Sequence, residues 1–385
     1  MRRPLRALSR PKRHRAFATR DPSPRSVPRA IARVRPKGRA HGPAQALATR
    51  WRSTAGARAI TTAGRTGKTG PRGGPMYSER VLRDCFLVVR ACLSNALAAA
   101  APSIYVRLTR QTGRGADEES PHAVAAYFLT CLSDYRERLG YSDEALAEFL
   151  KGKVVLEYGP GDILGVALLV YAYGARQVHC VDQFPLHRQS ERSIEVYRRL
   201  LTALQGDPRD RACRAFREYG KPESGLDPDA IAYHVTPDGL AGQTGAFDLI
   251  LSRAVLEHVR DLQATFRDMA QGLSKGGLAL HLVDLKSHGL DRYRTFDFLT
   301  WPEFLYRAMY GCKGFPNRWR ANKYLELAAR FGLRVRTIAP TGCARKDDVD
   351  FVRPRIAGHL TDVTAEQLAW LGFWIVLEKP QAPEP

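Results

Sequence analysis

Acidic residues are almost missing from the first 75 positions of this 385-residue chain, where Asp21 stands alone against 17 Arg and 3 Lys. Apolar periodicity is missing there too, while Arg, Pro and Gly are dense. Residues 1–75 therefore cannot bury enough surface to fold and are expected to form a disordered basic arm. The same deficit accounts for the overall charge. The chain carries 60 Lys and Arg against 39 Asp and Glu, yet residues 76–385 hold 40 and 38 of them. A nearly neutral body takes away net charge as an argument for nucleic-acid binding. Three readings of the arm stay open: a polyanion handle, an Arg-rich transit-type presequence, or a tail without function. Met76 sits where the composition changes and is an alternative start of translation.

Other absences narrow the class further. The seven cysteines (Cys85, Cys92, Cys131, Cys180, Cys213, Cys312 and Cys343) are scattered, odd in number and without C-x-x-C spacing. That argues against a zinc site or a disulfide framework and for reduced thiols in a cytoplasmic protein. No apolar run approaches the roughly 18 residues that span a bilayer. Arg90 interrupts 86–100, and Gly174-Ala175-Arg176 ends the run that begins after Gly165. No membrane association is expected, and no internal repeat is present.

What is there falls into two patterns. Residues 77–150 read as helices, with stripes at Val81, Leu82, Cys85, Phe86, Val88 and Val89 and at Val124, Ala125, Phe128, Leu129 and Leu132. A third helix starts near Ser142. This is too little for an independent domain, so 76–150 is expected to be a helical cap laid against the rest of the chain. From Gly152 short apolar strands alternate with helices, the mark of a doubly wound α/β sheet filling 151–385. Strands are expected at 153–157, 177–181, 231–235, 247–251, 278–283, 333–338 and 373–377. Helices are expected at about 163–173, 189–204, 262–273 and 321–331. Residues 285–320, rich in Arg, Tyr, Phe and Trp, read as an insertion forming a substrate lid.

The first strand ends in Val154-Val155-Leu156-Glu157-Tyr158-Gly159-Pro160-Gly161-Asp162. A dinucleotide cradle would use G-x-G-x-x-G and hold a pyrophosphate on helix N–H groups. Here the third glycine position is Leu164, and Glu157 would repel a pyrophosphate. A carboxylate lip suits a ligand with positive charge, such as the sulfonium and ammonium of S-adenosylmethionine. Ligands in such sheets sit beyond the carboxyl ends of the strands. Asp182 ends the second strand, placed to accept the hydroxyls of a ribose. Gln183 comes next and could pack beside an adenine. Asp238, in the turn Thr236-Pro237-Asp238-Gly239 after strand 3, could accept the adenine amino group.

Val154–Asp162, Asp182, Phe247–Leu251, Val255-Leu256-Glu257-His258-Val259 and Leu273–Gly277 together resemble the class I S-adenosylmethionine-dependent methyltransferases. The likeness covers about residues 150–340, and the group acting mostly on small molecules is the most similar. It implies a seven-stranded Rossmann-like methyltransferase sheet and S-adenosyl-L-methionine as cofactor. Glu157, Gly159, Gly161, Asp182, Asp238 and Ser252 would touch that cofactor. The segment Val255–Val259 would be a helix start.

Methyl transfer mostly needs alignment and exclusion of water. A base is needed only where the nucleophile must lose a proton, as a hydroxyl does. His258, Asp284 and His288 are the candidates. Asp284, four residues before His288, could orient and raise the basicity of its imidazole. An Asp/His metal site would lack an evident third ligand, so no metal is expected. Asn317, Arg318 and Arg320 in the insertion could grip an anionic or polyhydroxylated substrate. The expected function is methyl transfer to a small-molecule acceptor, a hydroxyl of a sugar or secondary metabolite. The alternatives are a nucleic-acid or protein methyltransferase and a non-catalytic cofactor-binding partner protein. Against the nucleic-acid reading, strand 4 leads into Leu251-Ser252-Arg253-Ala254, not the Pro-Pro-aromatic turn that grips a flipped amine, so nucleic acid is not an expected partner.

Overall fold

Strand and helix alternate after residue 154 because the apolar pattern does, and in the computed structural model that alternation becomes one seven-stranded sheet. The structure describes residues 75–109, 120–236, 243–360 and 362–381. The basic arm, save Pro75, lies outside them, as does Asp238. Four helices come first: α1 (Pro75–Ala100), α2 (Pro102–Thr109), α3 (Pro121–Leu139) and α4 (Asp143–Leu150). Next come β1 (Val154–Tyr158), α5 (Gly165–Ala172), β2 (Gln177–Asp182), α6 (Glu191–Ala203), α7 (Gly206–Arg214) and β3 (Ile231–Val235). The chain continues through β4 (Phe247–Arg253), α8 (Leu262–Gly272), β5 (Leu273–Asp284), α9 (Glu303–Tyr310) and α10 (Ala321–Arg330). It ends with β6 (Arg334–Cys343), α11 (Lys346–Val352), α12 (Ala365–Ala369) and β7 (Trp370–Glu378).

The strands lie in the order β3-β2-β1-β4-β5-β7-β6. β7 runs antiparallel to both its neighbours, and the other pairings are parallel. The winding reverses between β1 and β4, so their carboxyl ends flank the crevice where such sheets take ligands. This is the doubly wound α/β architecture that the strand pattern implies.

Local chemistry explains the elements that shape this crevice. Ser120 caps α3 by accepting the Ala123 N–H, and Gly140, at φ +75°, lets the chain leave its end. Ser142 caps α4, with Asp143 and Glu144 in the first turn. α5 is apolar on every side, and seven of its eight residues are buried. That is the pattern of a helix enclosed within the core. Val155, Cys180, Leu249 and Leu280 face the helices on one side of the sheet, with Phe128, Leu168 and Leu200. On the other face Leu156, Ile250 and Ile375 meet Phe266, Tyr324 and Phe373. A third cluster joins the insertion (Phe298, Tyr306, Met309) to Ala91 of α1.

Several sequence expectations shift. β4 extends to Arg253 because Ser252 and Arg253 pair with His281 and Leu282 of β5. β5 starts at Leu273, taking in Lys275-Gly276-Gly277, a stretch whose glycines suggest a helix end. Val255–Val259 forms a turn, not a helix start. α7 occupies part of the stretch expected to be irregular. The stripe on α1 also faces the wrong way for a core: Val81, Leu82, Phe86 and Val89 are 50–70% exposed. Polar anchoring decides the orientation of this helix. Asn95 donates to the carbonyls of Arg307 (3.4 Å) and Ala308 (3.0 Å) and accepts the Cys312 N–H at 2.8 Å.

Gly165 marks the closest approach of α3 to α5, since a Cβ there would stand 2.2 Å from the Phe128 ring. Gly165→Ala is expected to lower unfolding free energy by about 1–3 kcal/mol through overpacking. Denaturant unfolding of the variant measures this, and an unchanged midpoint would refute the tight contact.

Candidate active site

Four strand ends build the crevice. In β1 the two-residue side-chain period sends Val155 and Glu157 towards α3 and α5. Glu157 is 6% exposed, and the Cys180 thiol beside it on β2 donates to its Oε2 at 3.8 Å. α3 lies over this carboxylate: burial, reinforced by the charge of Glu157, holds the Tyr135 phenol well above its usual pKa.

Beyond β1 the chain turns at Gly159, φ +62°, whose N–H donates to the Val181 carbonyl at 2.8 Å. A Cβ there would come 2.5 Å from Cγ2 of Val255. The turn after β1 is pressed against the turn after β4, and glycine alone fits. Gly161, at φ +79°, completes the bend. Asp182, the last residue of β2, accepts the Phe184 N–H at 3.2 Å. Burial pushes its carboxyl up to about 6, against the pull of the Phe184, Gln183 and Gly161 N–H groups. The side chain of Gln183 lies against Gly314, where an added Cβ would meet Nε2 at 3.3 Å. The segment after α9 thus reaches across to the β2 end of the crevice. Asp238 lies outside the described residues.

Ser252 requires a correction. It is fully buried, and its hydroxyl is engaged with Nδ1 of His281 at 2.7 Å inside the sheet, which leaves its side chain no reach to a cofactor. His281 lies in the apolar run of β5, where nothing in the sequence singles it out. Burial draws it down to about 3, so the ring is neutral.

Of the three catalytic candidates, two meet. The rings of His258 and His288 pack edge to face with centroids 4.7 Å apart. Burial draws His258 down to about 3 and lowers His288 as well. His288 sits in left-handed backbone, φ +50°, a strained conformation that persists only where the surroundings hold it. Asp284 acts on His288 through its charge and its backbone rather than through a carboxylate hydrogen bond to the ring. Its carboxylate accepts the backbone N–H of Lys286 at 3.0 Å and the Lys286 Nζ at 3.1 Å. The group that does approach both rings is Glu257, whose Oε1 is 3.8 Å from Nε2 of His258 and 4.0 Å from Nε2 of His288. In the sequence Glu257 stands only as part of a family-like segment, without a role of its own. Its one signal there is a carboxylate placed directly after Val255-Leu256.

The three substrate candidates serve the protein itself. Asn317 donates through Nδ2 to the Leu256 carbonyl at 2.8 Å, and its backbone N–H binds the Glu257 carbonyl at 2.6 Å. Arg318 is 2% exposed, paired with Glu303, bonded to the Trp301 carbonyl at 2.6 Å and stacked over Tyr306. Arg320 is 1% exposed and donates to the carbonyls of Leu285 and Leu368, each at 3.0 Å, and of Trp370. Neither guanidinium is placed to grip a substrate. Arg320 fastens the insertion to the start of β7 and Arg318 braces it from within, because irregular backbone buried there needs donors for its carbonyls.

Comparison with known proteins places this geometry. A family model described as a methyltransferase domain matches residues 132–338. No curated protein matches the chain. Among solved structures, an S-adenosylmethionine-dependent methyltransferase from Mesorhizobium loti is 18% identical, with TM-score 0.34, over 62% of this chain and 99% of that one. Geranyl diphosphate C-methyltransferase from Streptomyces coelicolor is 15% identical, with TM-score 0.33, over 61% of this chain and 77% of that one.

Arg320→Ala should remove a buried donor from three carbonyls and leave a cavity, costing about 3 kcal/mol or more of stability. Denaturant unfolding against the parent chain checks it. A loss under about 1 kcal/mol, within the ordinary range for surface changes, would return Arg320 to the substrate candidates.

Proposed function

The chain belongs to the methyltransferase-domain family, and from that premise we propose that it methylates a small molecule on a hydroxyl, with S-adenosyl-L-methionine as its cofactor. That cofactor, when bound, supplies an electrophilic methyl group on a sulfonium, which leaves as a neutral thioether. The residues around the crevice fit it. Gly159 and Gly161 keep side chains out of the space under the ligand. Asp182 is a desolvated carboxylate suited to two ribose hydroxyls, and Gln183 stands where an adenine would pack. Glu157 answers the cationic end.

The acceptor's place is then the β4–β5 side, under the insertion. There Glu257, His258 and His288 are the polar groups at hand, and the segment carrying Gly314 and Asn317 screens them from water. With the cofactor bound, its methyl group would pass to the acceptor oxygen, the C–S electron pair remaining on sulfur. The hydroxyl proton would pass to the polar cluster of Glu257, His258 and His288. The small-acceptor reading draws support from the nearly balanced charge of residues 76–385 and from the roof the insertion makes. The observation that carries the reading is the family match together with buried carboxylates at the ends of β1 and β2.

Ribose hydroxyls are held by the ionised form of Asp182, whose pKa in the fold, about 6, lies above the ordinary 3.8. Affinity for S-adenosylhomocysteine should therefore be full near pH 7.5 and fall as pH drops through 6. Asp182→Asn should weaken it about tenfold or more and flatten that dependence, as loss of a charge-assisted pair does. Calorimetry across pH 5–8 reads both. A wild-type profile no steeper than that of the variant would remove Asp182 from the ribose.

The acceptor class is tested by tritium transfer from methyl-labelled cofactor into a fractionated metabolite extract. Label in small hydroxylated compounds is expected. Label confined to nucleic acid or protein, or no transfer at all, overturns the reading.

A further inference from the structure

The turn after β4 and the turn after β5 bring Glu257, His258 and His288 to one point, with one ligand-capable atom from each all within 4.8 Å of one another. What sets this cluster apart is its unmet bonding. Both oxygens of Glu257 and Nε2 of His288 are buried atoms without a hydrogen-bond partner, and Nε2 of His258 faces the same carboxylate at 3.8 Å. The Glu257 side chain is 2% exposed. Burial holds its carboxyl well above the usual pKa, against the pull of its own N–H and that of Asp284. The nearest cation, Lys286, is tied to Asp284 at 3.1 Å. Such a concentration of unsatisfied donors and acceptors is rare in a native interior and calls for a partner.

We infer that Glu257, His258 and His288 form a binding site for one divalent first-row transition-metal ion. Two imidazoles and a carboxylate are the donor set of open zinc and iron(II) centres, whereas magnesium and calcium prefer oxygen alone. Bonds of about 2.1 Å place neighbouring ligand atoms about 3.0–3.5 Å apart. The separations of 3.8 and 4.0 Å seen here close to that range by small side-chain rotations. A divalent ion at this point would meet the bonding that both Glu257 oxygens and the His288 nitrogen lack. The Asn317 bonds to the Leu256 and Glu257 carbonyls fix the backbone that carries two of the three ligands. The two imidazole side chains, 27% and 30% accessible, leave one open side for an outside oxygen. The ion's further use rests on the proposed methylation: a hydroxyl bound to it would lose its proton more readily.

Metal binding is measured without cofactor or acceptor, so its outcome is independent of that reading. The full chain, stripped with chelator, is titrated calorimetrically with zinc and, in parallel, magnesium. One zinc per chain is expected, bound at least tenfold more tightly than magnesium. Glu257→Gln and His288→Asn should each weaken zinc at least tenfold while circular dichroism and thermal midpoint confirm folding. His288 is partly exposed, so its variant decides the matter if the buried one fails to fold. Absence of zinc binding, or binding undiminished in the folded variants and hence owed to thiols elsewhere, overturns the site.

Discussion

A carboxylate taken out of water costs several kcal/mol unless a cation or several donors meet it, and this protein places three such groups at the head of its sheet: Glu157, and with it the pair Asp182 and Glu257. Neither has a Lys or Arg partner among the described residues. Much of the surrounding structure serves to keep them dry. α3 lies across the end of β1, the insertion roofs the ends of β4 and β5, and the turns after β1 and β4 press together at Gly159 and Val255. Carboxyl groups kept out of water in this way are suited to ligands that bring hydroxyls, ammonium groups or metal ions with them.

The insertion and the first helix depend on each other. Asn95 of α1 ties down the end of α9 through three hydrogen bonds, and the Lys313 Nζ reaches Ser94 at 2.6 Å. Burial lowers Lys313 to about 8, which marks how far this joint is withdrawn from solvent. The helical cap therefore has two roles. α3 and α4 complete one face of the sheet, while α1 braces the insertion.

Legibility from sequence tracks the range of the interactions. Strand ends such as Glu157 and Asp182 can be placed because period-two burial and a glycine turn are local signals. The capping serines Ser120, Ser142 and Ser190 act within three residues, and the helix starting near Ser142 is readable on that basis. Arg318 and Arg320 read as substrate ligands because charge in an aromatic segment usually faces water. Their real partners, Glu303, Leu368 and Trp370, are 15 to 50 positions away. The stripe on α1 misleads for a related reason: amphipathic spacing shows that an apolar face exists, not that the fold covers it. Glu257 cannot be read alone because its meaning comes from His288, which lies on another strand's loop.

The two buried guanidinium groups also bear on how ligands come and go. A roof pinned to the start of β7 by Arg320, braced from within by Arg318 and clasped by Asn95 at its far side has no free edge on which to swing as a flap. The span from Gly311 to Pro316 is held as well, by Asn95 at Cys312, by Ser94 at Lys313 and by Tyr306 at Pro316. A segment tied at its ends and along its middle forms a fixed wall of the crevice, so the opening a ligand meets is the one the strand ends leave.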